Sequence, residues 1–220
     1  MKKLRIALII CMIIAKHVNL HAQEINVKQE TNVKNVEYSF SSHLGYSHIF
    51  NTIAGLSNLS DKYNDKLRSG FVWDLQFEFR ALRFTSGILF STYTSNGKTD
   101  YISDKVSINS VILQLGVYVL SPEQSKVSIK MFGGIGYTMY RNNSQVFGNN
   151  RKVFKNDACG NFGLGCIYRL SSHLGLSADA RFIISESDVF NVNYHENSFK
   201  VEQHLQFNQL SISIGINYIF

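Results

Sequence analysis

The chain of 220 residues is 45% apolar and 17% charged, enough hydrophobic material for a folded core, which excludes a disordered tail. One proline, 15 glycines and 16 Phe with 11 Tyr favour strands over helices, because rings suit a pleated surface. The formal charge of +6 raises the question of nucleic acid, and its position along the chain answers it.

Residues 1–22 open with Lys2, Lys3 and Arg5, continue through an unbroken apolar run from Ile6 to Ala15, and end in a short polar stretch closing on Ala22. This is the layout of a secretory signal peptide, with cleavage expected after Ala22. Ten apolar residues are too few to cross ~30 Å of hydrocarbon as a helix. Removal of the leader takes Lys2, Lys3, Arg5 and Lys16 with it, leaving 18 basic residues against 16 acidic. Nucleic acid is therefore not an expected partner. Cys159 and Cys166 remain, and in one extended strand they stand ~23 Å apart, too far for a disulfide. No metal-site spacing is present, and no cofactor is expected.

Residues 23–37 are polar and without period, and read as a periplasmic lead-in. From residue 38 to 220 the signal is alternation. Phe71, Trp73, Leu75, Phe77 and Phe79 share one parity, with Asp74, Gln76, Glu78 and Arg80 on the other. A helix would scatter those apolar side chains, whereas a strand aligns them on one face. The same pattern recurs in Val111–Val119, Val127–Met139, Phe162–Leu170, Leu174–Phe182 and Leu210–Phe220, and more weakly in Phe40–Ile49 and Phe84–Ser95. These eight segments have about the ~9–11 residues that a tilted strand needs to cross a bilayer.

Connections alternate in length. Residues 81–83, 121–125 and 171–172 are tight, whereas 51–69, 96–106, 141–157 and 186–206 are long and read as loops. That regularity predicts an eight-stranded antiparallel up-and-down transmembrane β-barrel, with turns at the periplasmic end and loops outside.

A barrel of eight strands is filled by its own side chains. The polar parity then faces inward, and Asp74, Glu78, Arg80, Lys130, Asp179 and Arg181 are expected to form a self-neutralising lumen network, joined by Gln114, Arg169, Gln209, Ser211, Ser213 and Asn217. Buried charges require such pairing. Aromatics near strand ends, among them Phe71, Trp73, Phe84, Tyr101, Tyr140, Tyr168, Phe182, Tyr218 and Phe220, read as two interfacial girdles. The 141–157 segment carries Arg141, Arg151, Lys152 and Lys155 against Asp157, a candidate contact for lipopolysaccharide phosphates. The 186–206 segment mixes Glu186, Asp188, Glu196 and Glu202 with His195, Lys200 and His204, a candidate pH-responsive tip.

The C-terminal stretch Ser213 to Phe220, with Gly215, Tyr218 and the terminal Phe220, resembles the signal read by the barrel-assembly machinery, in which a strand is added to an open sheet edge. With Phe132–Tyr137 and Leu174–Phe182, the chain resembles the outer-membrane β-barrel domain family that includes PorT-like and OmpA/OmpX-like small barrels of Gram-negative bacteria. The resemblance implies an integral outer-membrane protein without catalysis, structural, interacting or secretion-associated, whose partners are outer-membrane lipid and lipopolysaccharide, the assembly machinery, and proteins met by the loops. Two alternatives are a lipid A deacylase or acyltransferase on the same small barrel, for which His43 and Ser47 share a face of the first strand, and a soluble lipocalin-like periplasmic carrier. The His-x-Ser-Asn pattern of the deacylases is missing.

Overall fold

The structure, a computed structural model, describes residues 36–51, 61–121, 125–194 and 197–220. The leader and all but the last two residues of the lead-in lie outside them. Nine strands and one helix follow in order: β1 (Val36–Ile49), α1 (Asp61–Arg68), β2 (Ser69–Ala81), β3 (Phe84–Lys98), β4 (Ile102–Leu120), β5 (Val127–Val146), β6 (Asn149–Arg169), β7 (Leu174–Tyr194), β8 (Asn197–Gln206) and β9 (Gln209–Ile219). The lead-in ends earlier than its sequence suggests, since Val36 and Glu37 already pair with Ala81 and Arg80.

Every pairing is antiparallel, and β1 to β7 follow one another around the wall. Strand β9 pairs with β7 on one side and β1 on the other, which closes a ring of eight. Strand β8 pairs with the outer part of β7 and continues the line of β9 across a break at Phe207 and Asn208. The predicted eight-stranded up-and-down barrel is the observed fold.

Three of the four long connections are not loops. Segments 96–106, 141–157 and 186–206 are the outer ends of paired strands, so the wall runs on as β-hairpins. The β5–β6 hairpin turns on Phe147 and Gly148, whose φ angles of 49° and 80° are both left-handed, the geometry of a two-residue primed turn. Arg141-Asn142-Asn143-Ser144 is polar on both parities, so no hydrophobic alternation announces the strand. Its backbone ladder forms regardless, with Asn142 and Ser144 buried and Arg141 and Asn143 exposed. The segment between β1 and β2 instead carries α1.

Outside the ring lies a broad apolar surface. Leu115, Ile135 and Ile214 are 71%, 71% and 70% exposed, and neighbours on every strand share the pattern. A continuous apolar face of this extent marks a surface that meets hydrocarbon rather than water. Inside, chemistry changes with height. The half nearer the tight turns is polar and charged. The half nearer the hairpins holds an apolar cluster of Ile49, Tyr93, Val106, Ile108, Tyr140, Phe190 and Phe207 with others, into which α1 places Tyr63 and Leu67, four residues apart and so on one helical face. Tyr140 is therefore not a girdle residue: it is 2% exposed and stacks on Phe207 at 4.8 Å, because its parity is opposite to that of Tyr137 and Met139. Tyr101 also leaves the girdle, for the tip of the β3–β4 hairpin, against Phe147.

Glycines let the narrow wall curve. A Cβ at Gly134 would lie 2.1 Å from the Leu113 carbonyl oxygen and 2.8 Å from Asn161 Oδ1, and the carbonyl has nowhere to move. Gly134→Val is expected to cost ~1–3 kcal/mol by overpacking, read as a lower urea midpoint in lipid vesicles; an unchanged midpoint would contradict the close approach.

Candidate functional site

The inward parity builds a column of charge. At the mouth beside the tight turns, Glu37 accepts from Arg80 at 2.9 Å and from Arg169 at 2.6 Å. Further in, Lys130 donates to Glu78 Oε2 at 2.5 Å, and Gln76 donates to the same oxygen at 2.8 Å. Beyond them Arg181 donates to Asp74 at 2.5 Å and to Asp179 at 3.1 Å. Arg181 and Lys130 also lie over the Phe132 ring, 5.4 and 5.8 Å from its centre. Near the hairpins, Asp104 accepts from Tyr63 at 2.6 Å, Asn142 at 3.0 Å and Arg151 at 3.5 Å.

All six residues expected in the lumen network lie there, in three linked groups. Glu37, Asp104, Arg151 and His43 join them unannounced. Parity could have found three: Asp104 shares the inward parity of Gln114, and Glu37 and His43 that of Ser39 and Ser41. Among the described residues the column then holds five carboxylates (Glu37, Asp74, Glu78, Asp104, Asp179) and five bases (Arg80, Lys130, Arg151, Arg169, Arg181), a formal balance of zero. This balance matters because an unpaired buried charge costs several kcal/mol.

His43 and Ser47, the candidates for the lipid-modifying alternative, do share the inward face of β1, but they take different partners. Ser47 Oγ donates to the Leu210 carbonyl at 3.0 Å, whereas His43 Nε2 meets Ser177 Oγ at 2.8 Å and lies 3.8 Å from Asp179 Oδ2. A serine, a histidine and a carboxylate thus come together, but inside the wall, with His43 and Ser177 only 2% and 6% exposed. Cys159 and Cys166 are free, the first buried and the second on the outer surface. Among the described residues no cluster of His, Cys, Asp and Glu is placed to hold a metal.

Helix α1 closes the outer end. The Leu67 carbonyl accepts from Tyr93 at 2.7 Å and Ser95 at 2.6 Å, satisfying a helix-end acceptor. Burial, and then the Asp104 hydrogen bond, raise the Tyr63 phenol above its usual 10.0, so it stays a donor at neutral pH. The basic hairpin splits: Arg151 turns inward to Asp104, Lys155 lies 3.5 Å from Asp157, and Arg141 and Lys152 stay exposed. In the 186–206 hairpin, His204 meets Asp188 at 2.6 Å, which raises its pKa above 6.5. At the C-terminus, Gly215 sits between His43 and Ser177 in register, while Tyr218 and Phe220 face outward with ring centres 5.0 Å apart.

Solved structures share this wall. A major outer membrane protein from Thermus thermophilus aligns with a TM-score of 0.62 at 13% identity, over 84% of this chain and 99% of its own. OprG from Pseudomonas aeruginosa aligns at 0.57 and 14%, over 84% and 95%. The chain has the fold of the small outer-membrane β-barrels. The outer membrane protease OmpT from Escherichia coli also aligns, at 0.50 and 7% identity over 88% and 99%, so this fold does not decide between catalysis and its absence. No protein-family model and no curated relative matches the chain.

Arg181→Met should strand Asp74 and Asp179 without a cation and cost ~3–5 kcal/mol, measured by urea unfolding in lipid. Adding Asp74→Asn and Asp179→Asn should recover most of the loss; no recovery would show that the arginine acts by packing alone. A second prediction concerns His204. Its raised folded pKa makes the Asp188 pair stabilising below pH 6.5, with the effect lost as pH rises through the folded value. An NMR titration should place its midpoint above 6.5, and Asp188→Asn should return it toward 6.5.

Proposed function

We propose that the protein is a non-enzymatic surface barrel: the lumen is shut, and the hairpins beyond the membrane present an interaction surface. One observation carries the reading. The interior is filled along its length, by paired charges in one half and by an aromatic cluster with α1 in the other, while the wall extends outward as the β3–β4, β5–β6 and β7–β8 hairpins. Chain length spent on a filled tube with a protruding rim serves contact rather than passage. The Tyr101 and Phe147 rings, 67% and 72% exposed and 5.7 Å apart at neighbouring tips, are the most prominent part of that rim.

The resemblance to PorT-like and OmpA/OmpX-like barrels supports a structural, interacting or secretion-associated role. Outer-membrane lipid and lipopolysaccharide surround the wall in this reading, and the assembly machinery meets β9 through Gly215, Tyr218 and Phe220. Burial of the His43–Ser177–Asp179 group speaks for a structural rather than a catalytic use of it.

Two measurements test the proposal. In planar bilayers the folded barrel should show no steady unitary conductance. A photo-crosslinker placed at Phe147 on whole cells should capture a surface partner, and one placed at Leu115 should capture lipid alone. Steady conductance, or hydrolysis of a lipid acyl ester that Ser177→Ala abolishes, would overturn it.

A further inference from the structure

The outward face of the hairpin wall separates its charges. On β4, β5 and β6 it carries Lys105, Arg141 and Lys152, all exposed and none in an ion pair among the described residues. On β7 and β8 it carries Glu186, Asp188 and Glu202 beside Lys200, a net negative face, with His204 on Asp188 and Gln206 on Glu186. Arg80, Lys130, Arg151, Lys155, Arg169 and Arg181 are each matched to a carboxylate, whereas Lys105, Arg141 and Lys152 adjoin one another on three consecutive strands with no acid between them. Asp157, the nearest acid on β6, is engaged by Lys155, and Asp104 points inward to Arg151.

Register brings the three together. Arg141 lies opposite Ser107, two residues from Lys105, and opposite Phe154, two residues from Lys152. Each is therefore a diagonal neighbour of Arg141, at a Cα separation of ~7–8 Å. Lys105 and Lys152 both face Asn143 from either side, two strand spacings or ~10 Å apart. Long side chains from such a triangle converge on one anion the size of a phosphate, with the Asn143 amide beneath it. Arginine supplies the planar fork that suits a phosphate oxygen pair, and the two lysines add point charges.

Height identifies the source of that anion. Arg141 follows the outward-facing Tyr137 and Met139 by four and two residues, ~13 and ~7 Å along the strand. The triangle thus stands at headgroup depth, on the side of the wall that faces neighbouring lipid, where an anion tethered by its own acyl chains is held at high local concentration. We propose that Lys105, Arg141 and Lys152 form a binding site for the phosphate groups of an outer-leaflet glycolipid, lipopolysaccharide being the surface lipid with phosphates at this depth. The proposal deepens the reading of the rim as an interaction surface, by naming a partner for one face of it.

The test uses the folded full-length barrel in nanodiscs, with purified lipopolysaccharide, its enzymatically dephosphorylated form, or phosphatidylglycerol as the added lipid. Wild type should retain the phosphorylated glycolipid over both others, and less strongly at high salt. Lys105→Gln, Arg141→Gln and Lys152→Gln combined should weaken retention about tenfold to a hundredfold, whereas Glu186→Gln with Asp188→Asn and Glu202→Gln should leave it unchanged. All these side chains point outward, so heat-modifiable gel mobility should persist in both variants. Equal retention by the triple-glutamine variant, or of the dephosphorylated form, would overturn the site; equal competition by phosphatidylglycerol would overturn the choice of a glycolipid. Conductance and ester hydrolysis are read separately, so loss of this site leaves the closed, non-catalytic reading to stand or fall by its own measurements.

Discussion

A bilayer offers a backbone no water, so each N–H and C=O inside it must find a partner in the protein. For a sheet this means closure, and the rest of the structure follows from the seam that achieves it. Strand β1 meets β9 from Ser39 opposite Ile219 to Ile49 opposite Gln209, and every strand of the ring then has two neighbours.

Closure also dictates where polar side chains go, and the answer inverts along the barrel. Within the apolar band the outside faces lipid, so charge retreats to the lumen and must neutralise itself there. Above the band the same wall leaves hydrocarbon for polar headgroups and water. Its outward parity becomes Lys105, Arg141, Asn143 and Lys152, while the inward parity becomes Val106, Ile108, Tyr140 and Val153. The outer half is thus an ordinary hydrophobic core built inside a tube, with α1 as its lid. Arg68 ties that lid to the wall through the Ile49 and Phe50 carbonyls. Asp104 lies beyond Val106 and Ile108, at the outer end of the tube, and joins the helix to the wall through Tyr63 and Arg151.

How much of this was legible in the sequence depended on contrast between the two parities. Where apolar and charged residues alternate, as from Phe71 to Arg80, both the strand and its inward face could be read, and the six lumen charges followed. Where both parities are polar, as from Arg141 to Ser144, periodicity vanishes although the ladder continues, and the sequence of a hairpin then looks like that of a loop. Tyr140 misled for a related reason: position at a strand end suggested a girdle, but its parity places it inside. Partners distant in sequence were out of reach altogether. His43 and Ser177 are 134 residues apart, and only the β1–β9–β7 register makes them neighbours.

The central claim is that apolar parity faces hydrocarbon around a closed, charge-filled lumen, and Cys166 offers a native probe of it. Cys166 is exposed on the apolar parity of β6, between Leu164 and Tyr168. A nitroxide attached there in a Cys11→Ser, Cys159→Ser background, with the barrel in lipid vesicles, should relax strongly with dissolved oxygen, which concentrates in hydrocarbon, and hardly at all with a water-soluble nickel chelate. Strong relaxation by nickel at Cys166 would place this face in water and contradict the account.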